Sequence, residues 1–366
     1  MQDYLVLLAL AALSVAIAWA GLWRLGRLRQ TWRRWAEGAG FLVLFLVAAV
    51  PTAAGFGNAA LSAHYFSAPP SSGRILAVDG YRTHFFCIGK GSPTVVMEAG
   101  FGSDLDDWRL VQTAVSKVTT VCSYDRAGYG WSEARGGIRD ADAVAKNLHA
   151  LLRAAKIATP AVLVGHSMGG VYVRRYAALY PKDVAGMVLV DAATPLQEAR
   201  LDPALNAFSE RQIAQLRWMS YFGVFRLMGM CNSFMPGLTR AESEDMCRPA
   251  LARTLKQEMS AFHASGLETV HDTLGDVPLL VLSHDNTKPI LPASFGEERA
   301  RRFEVLWDGM QEDLTRLSPQ SRHVIVRGSG HNIQIERPEV LNRELMRFVE
   351  QIRRGERIAP GGTTAE

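Results

Sequence analysis

The sequence predicts an α/β protein with a mostly parallel sheet covered on both faces, and three observations point there. From residue 74 onward, short β-branched runs alternate with segments of helical period, as strands joined by crossover helices do. One such junction, Val162-Leu163-Val164 running into Gly165-His166-Ser167-Met168-Gly169, turns from strand to helix around a serine flanked by glycines. Ahead of all this lie two long runs without a charge, which read as something other than the sheet.

Those runs come first in the chain. Residues 4–23 carry no charge, a length that crosses a hydrocarbon core as a helix. Residues 39–73 contain no Lys, Arg, Asp or Glu at all, and their apolar part extends to about Leu61. Between the two runs stand Arg24, Arg27, Arg29, Arg33 and Arg34, with Trp19, Trp23, Trp32 and Trp35 where an interfacial aromatic belt belongs. The expectation is a two-helix transmembrane hairpin over residues 1–61 with a basic loop at 24–38, then a Ser/Ala/Pro linker at 62–73. Basic loops resist translocation, so this loop should stay cytoplasmic and the rest of the chain should lie across the membrane. A cleaved signal peptide is the rival reading, disfavoured by Asp3 and by the lack of a basic start. Two buried core helices would be the plain alternative.

The 366 residues leave room for a core of roughly 250–300 residues beside this appendage. The formal charge of +4 is concentrated at the N-terminus, since residues 1–38 hold +3 of it. The body is near neutral and offers no basic face to a nucleic acid. Four cysteines are too few for a disulfide scaffold, and no metal-ligand spacing or cofactor motif occurs. Cys87 and Cys122 lie in strand-like runs and read as buried small hydrophobes. Cys231 and Cys247 are expected to pair if their region lies outside the cytoplasm.

In the body, Arg74–Val78 and Arg82–Ile88 flank Asp79-Gly80, a hairpin signal. Strands are expected at Thr94–Glu98 and Thr119–Tyr124, a helix at about Asp140–Ala155, then the strand Ala161–Gly165 and the helix Met168–Tyr180. Apolar strands follow at Met187–Val190, Leu279–Leu282 and His323–Val326, with helices at 296–317 and 338–353. Residues 195–275 interrupt the alternation. They show helical period, no strand, and many large apolar residues, among them Phe208, Trp218, Phe222, Leu227, Phe234 and Met235. The expected layout is therefore a first core part at 74–194, a helical lid at 195–275, a second core part at 276–353 and a disordered tail at 354–366.

A serine at a strand-to-helix turn is a candidate nucleophile, and it needs a base. His331, in Gly328-Ser329-Gly330-His331-Asn332 after the last strand, has the best setting. His166 lies inside the turn and reads as its support, whereas His284 and the remaining histidines lack a comparable place. The acid that would orient the imidazole stays open between Asp285, after Leu279–Leu282, and Asp191, at the end of Val188-Leu189-Val190. Asp276 is a more distant third. Oxyanion donors are expected from the N–H of Met168 and from the loop Glu98-Ala99-Gly100-Phe101-Gly102, chiefly Phe101 with Gly100 beside it.

Taken together, these segments resemble the α/β-hydrolase superfamily over residues 74–353. The Gly-x-Ser-x-Gly turn resembles its nucleophile elbow. Tyr124-Asp125-Arg126-Ala127-Gly128-Tyr129-Gly130-Trp131-Ser132 is similar to the family's Asp-Arg-x-Gly-x-Gly-x-Ser segment. Ser329-Gly330-His331 with Glu336-Arg337-Pro338-Glu339 is similar to its histidine loop and last helix. Two departures stand out. Ala99 replaces the usual histidine of the oxyanion loop, and Asp285 comes a residue or two early for the family's acid, which keeps Asp191 in play because some members place the acid one strand earlier. The resemblance implies a serine hydrolase, and the membrane segment and apolar lid suggest a lipophilic small-molecule ester or thioester. Acyl transfer, and a catalytically silent binding protein on the same fold, are the alternatives.

Overall fold

Val, Leu and Met fill the central strands and are buried on both faces, so these runs show none of the polar alternation of a half-exposed sheet. The computed structural model describes residues 5–28, 31–195, 197–232, 239–291, 293–358 and 363–366. Its elements begin with α1 (Leu5–Gly26), α2 (Thr31–Ser67), β1 (Arg74–Val78), β2 (Tyr81–Ile88), β3 (Val95–Glu98), α3 (Arg109–Val115), β4 (Val121–Tyr124), α4 (Ala141–Ala154), β5 (Ala161–His166), α5 (Met168–Leu179) and β6 (Val184–Val190). They continue with α6 (Pro203–Tyr221), α7 (Val224–Leu227), α8 (Arg240–Cys247), α9 (Pro249–Thr269), β7 (Leu279–His284), α10 (Glu297–Thr315), β8 (Ser321–Val326), α11 (Ile333–Glu336), α12 (Pro338–Arg353) and β9 (Thr364–Ala365).

By compactness the chain forms two units, one of Met1–Ala68 with Arg211–Arg253 and the other of Pro69–Glu210 with Thr254–Glu366. The larger unit holds a nine-stranded sheet in the order β1-β2-β4-β3-β5-β6-β7-β8-β9. β2 pairs antiparallel with β1 and β4, and every later neighbour is parallel. Successive strand residues feed opposite cores, as the two-residue period requires. Val96, Leu163, Leu189 and Val281 pack with Leu148, Leu152 and Tyr176 of α4 and α5. Met97, Val164, Val188 and Leu280 pack with Val111 and Val115 of α3 and with Leu345 and Phe348 of α12. This is the mostly parallel, doubly covered sheet of the α/β-hydrolase fold.

In the smaller unit, α1 and α2 are both long and apolar enough to cross a membrane, with only 17% of either apolar window buried. Gly55 of α2 lies against Leu7 of α1 and the carbonyl of Tyr221. Beyond it the helix meets polar partners. Asn58 Nδ2 donates to the carbonyls of Ser220 (2.7 Å) and Cys247 (2.9 Å), and Arg226 Nε donates to Asn58 Oδ1 (2.7 Å). Ser62 Oγ donates to Glu244 Oε1 at 3.0 Å, and Arg226 pairs with the same carboxylate. A disulfide joins Cys231 to Cys247. Asn58 and Ser62 of α2 are thus buried against protein.

Four expectations are corrected. Residues 31–38 are helical rather than loop and residues 62–67 helical rather than linker, because α2 runs unbroken for 37 residues through Pro51. The Thr52 hydroxyl bonds the Ala48 carbonyl (2.7 Å) in the turn that the proline weakens. Cys87 and Cys122 form a disulfide instead of standing as free thiols, because β2 pairs with β4 and sets the two residues directly opposite. The tail is not wholly irregular, since Thr364 and Ala365 add a short parallel strand beside β8. The helix α3, between β3 and β4, was not expected. Asp3, Tyr4, Arg29, Phe234, Met235 and residues 359–362 lie outside the described residues.

Candidate active site

Four buried apolar residues of β5 deliver the chain to Gly165, and the backbone then reverses into α5 within one residue. Ser167 makes that turn with φ 50° and ψ −124°, a left-handed conformation that an L-residue holds only under local constraint. The constraint comes from packing. A Cβ on Gly165 would lie 2.7 Å from the Gly169 carbonyl oxygen, and one on Gly169 would lie 2.6 Å from that of Glu98. Only glycine lets α5 close onto β5 and β3, so the hydroxyl stands clear at the C-terminal edge of the sheet.

His331 arrives from the loop after β8 with Nε2 2.9 Å from Ser167 Oγ. Its Nδ1 lies 2.6 Å from Asp191 Oδ2. Asp191 follows β6, is completely buried, and also holds a positive φ of 43°. Its Oδ1 accepts from the indole N–H of Trp307 (3.0 Å) and from the backbone N–H of His284 (3.2 Å). Burial alone would raise its pKa, but hydrogen bonds from His284 and His331 hold it well below the usual carboxylate range.

Of the acids left open by the sequence, the structure therefore brings Asp191 to His331 and not Asp285. Asp285 turns away. Its Oδ2 accepts from the N–H of Gly328 (3.0 Å) and its Oδ1 from the Thr287 hydroxyl (2.5 Å), on a partly exposed loop. Burial is the largest single influence and would raise its pKa, but the bonds from Thr287 and Gly328 together hold it below the usual carboxylate value. Asp276 lies on the loop before β7, and its carbonyl accepts from Gln320.

The loop Glu98-Ala99-Gly100-Phe101-Gly102 runs beside Ser167. A Cβ on Gly100 would meet Ser167 Cβ at 3.2 Å, so the loop backbone passes directly beside the serine. Arg126 Nη1 donates to the Ala99 carbonyl (2.6 Å) and Nη2 to the Gly100 carbonyl (2.7 Å). In a planar trans peptide the N–H points opposite to the C=O, so drawing the Gly100 carbonyl toward Arg126 turns the Phe101 N–H the other way. Met168 opens α5, and its N–H belongs to the first turn that no helical carbonyl can satisfy.

Arg126 is itself buried and held by Glu98 (2.8 Å) and Glu258 (3.1 Å). The Asp-Arg-x-Gly-x-Gly-x-Ser resemblance marks Arg126, but nothing in the sequence joined it to Glu258, 132 residues away. His166 is buried, and burial first of all lowers its pKa to about 3, leaving it neutral. Its Nε2 lies 3.0 Å from the His331 carbonyl, tying the serine turn to the histidine loop.

Ser167, Met168, Phe101 and His331 open onto a cavity of about 380 Å³, walled by Leu201, Leu205, Phe208, Met259, Phe262, Leu291, Phe295, Phe303 and Trp307. Its wall is mostly apolar, and Gln197 and Ser209 line it as well. A serine hydroxyl against a carboxylate-backed imidazole, beside two backbone donors, can attack a carbonyl and hold the resulting oxyanion. His284, Glu304 and Trp307 at this site were missed in the sequence. Glu304, Trp307 and Gln311 recur at helical spacing on α10, a polar line among Phe303, Met310 and Leu314 that could have signalled them. Among the described residues no group of three or more His, Cys, Asp or Glu side chains is arranged to hold a metal ion.

A model of the alpha/beta hydrolase family matches residues 95–344. The chain is 28% identical over 264 residues to the uncharacterized protein YqjL of Bacillus subtilis, covering 69% of this chain and 82% of that one. It is 27% identical over 266 residues to the dihydrolipoyllysine-residue acetyltransferase component of the acetoin cleaving system of Pseudomonas putida, covering 71% of this chain and 64% of that one. A thermophilic esterase from Thermogutta terrifontis superposes with a TM-score of 0.54 at 19% identity, covering 76% of this chain and 98% of the esterase, a likeness of fold.

Proposed function

For this chain, which belongs to the alpha/beta hydrolase family, we propose a membrane-anchored serine hydrolase that cleaves esters or thioesters of lipophilic small molecules. The observation that carries it is the unbroken contact chain from Ser167 Oγ through His331 to the buried Asp191, opening into an apolar cavity. In this reading Ser167 Oγ attacks the substrate carbonyl while His331 Nε2 takes its proton, and the N–H groups of Phe101 and Met168 receive the oxyanion. The intermediate collapses, the leaving alcohol or thiol takes the proton from His331, and an acyl-enzyme remains. A water activated by His331 then releases the acid. Asp191 holds the imidazole tautomer and offsets the charge it acquires. The aliphatic and aromatic wall would take the acyl chain by burying it.

Labelling of the full chain in detergent by a fluorophosphonate probe tests the reading. Labelling should occur and vanish in Ser167→Ala, and hydrolysis of p-nitrophenyl esters should fall about 10⁵–10⁶-fold. Labelling that persists in Ser167→Ala, or a wild-type chain that neither labels nor hydrolyses any ester, would leave a binding protein as the better account.

The anchor in this reading is the α1–α2 pair, with the arginines between them cytoplasmic and the catalytic unit on the other side. Both disulfides support that side, because such bonds persist in oxidising compartments. Alkaline phosphatase fused after Ser72 should be active. An inactive fusion paired with a fluorescent cytoplasmic reporter at the same site would reverse the topology.

A further inference from the structure

The carboxylate behind His331 meets a second histidine on its other side. His284, the last residue of β7, sets Nδ1 2.9 Å from Asp191 Oδ1 and 3.0 Å from Oδ2. Its Nε2 lies 2.8 Å from Glu304 Oε2, and the whole assembly is buried. A neutral imidazole owns one N–H. With a single ring proton, one of these two contacts would press a ring lone pair against a carboxylate oxygen in a dry site. The remaining carboxylate contacts are all with donors. Trp307 N–H and the His284 backbone N–H point at Asp191, and the Ile290 N–H donates to Glu304 Oε1 at 2.8 Å. The contacts therefore place protons on both nitrogens of His284, an imidazolium between two carboxylates.

We propose that His284 is a positioning residue which, clamped as a cation by Glu304, keeps Asp191 ionised and aimed at His331. The inference rests on the hydrolase reading above. Its logic is one of charge balance. At rest Asp191, His284 and Glu304 sum to a single negative charge. When His331 takes the serine proton, that charge is met and the buried cluster becomes neutral. Without the imidazolium, two carboxylates would face each other in low dielectric, and one would take up a proton. A protonated Asp191 could no longer offset the charge on His331.

The groups that act on His284 are Asp191 from the end of β6, Glu304 from α10, His331 through Asp191, and the neighbouring Asp285, whose carboxylate is also drawn down by it. Burial opposes the charge on His284, yet the two bonded carboxylates push its pKa up to about 10. Because that pKa is raised, the cation is present throughout the neutral range and is lost only as pH climbs through about 10.

Two variants in the full detergent-solubilised chain test this, read by kcat and KM for a short p-nitrophenyl ester against pH. In Glu304→Gln the amide keeps an acceptor oxygen but removes a charge, so His284 should lose its proton lower on the alkaline side. The alkaline limb of kcat should then move down by about one pH unit. In His284→Gln, kcat should fall about tenfold or more with KM little changed, and the acid limb of kcat/KM should rise, because the carboxylate pair now takes up the proton that disables Asp191. A residue that merely fills space would move neither limb. Should His284→Gln fail to fold by its melting curve, Glu304→Gln carries the same alkaline readout. Unshifted limbs and a kcat within twofold of the native value in the folded variants, with Ser167 still labelled by the fluorophosphonate, would overturn the inference and leave the hydrolase reading standing. A native chain with no Ser167-dependent labelling would sink both.

Discussion

Two adjacent strands, β6 and β7, end in aspartates at the same edge of the sheet, and the two ends have become different chemical environments. Asp191 after β6 is completely buried, takes a left-handed backbone conformation, and gathers donors from β7, α10 and the histidine loop. Asp285 after β7 is partly exposed and spends its oxygens on its own turn and on Gly328. The β7 position next to the Ser167–His331–Asp191 contacts is held instead by His284, whose ring turns inward to Asp191. The contrast teaches that an acid is chosen by the donors that converge on it. Position along the chain narrows the choice to two strand ends, and burial with a complete donor set separates them.

The largest expected effect breaks the comparison at Asp191. Asp191→Asn keeps the shape but cannot hold the required tautomer of His331, so kcat should fall about 10⁴-fold while the fold survives. Its stability should also respond differently to acid. The Asp191 pKa is depressed in the folded state, so its contribution is present above the unfolded carboxyl pKa and is lost as pH falls. Between about pH 5 and 3 the native chain should therefore lose more unfolding free energy than Asp191→Asn. A variant that retains native turnover would remove Asp191 from the mechanism.

What was legible in the sequence follows from range. The elbow, its glycines and the oxyanion loop are short contiguous patterns whose geometry is set by backbone sterics, so Gly165, Ser167, Gly169 and Gly100 could be placed from spacing alone. The sheet was legible for the same reason, since its buried strands are dense in Val and Leu. Contacts closed across the sheet were not. The Cys87–Cys122 bridge depends on β2 pairing with β4 rather than β3, and no local pattern states that register. The Asp191–His284–Glu304 line joins three elements, and His284 looked unremarkable beside the more obvious Asp285. The 37-residue length of α2 was hidden by Pro51, a helix breaker in water that a long apolar helix tolerates. Its polar residues Asn58 and Ser62 gave no hint that Arg226 and Glu244 would meet them.

The smallest expected effect sharpens the comparison from the other side. Asp285→Asn retains an acceptor oxygen for Gly328 or Thr287, and the residue is partly exposed to water, where a single hydrogen bond contributes about 1 kcal/mol. The Gly328 N–H that it meets belongs to the loop carrying His331 three residues later, so the substitution can loosen that loop without touching the imidazole. Turnover of a p-nitrophenyl ester should change by less than about threefold, since 1 kcal/mol shared between loop states shifts a population rather than a transition state. Equal losses in Asp285→Asn and Asp191→Asn would erase the distinction between the two strand ends. A small loss at Asp285 and a large one at Asp191 would mean that the acid of this site follows the inward-turned donors of His284 and Trp307, wherever along the edge they meet.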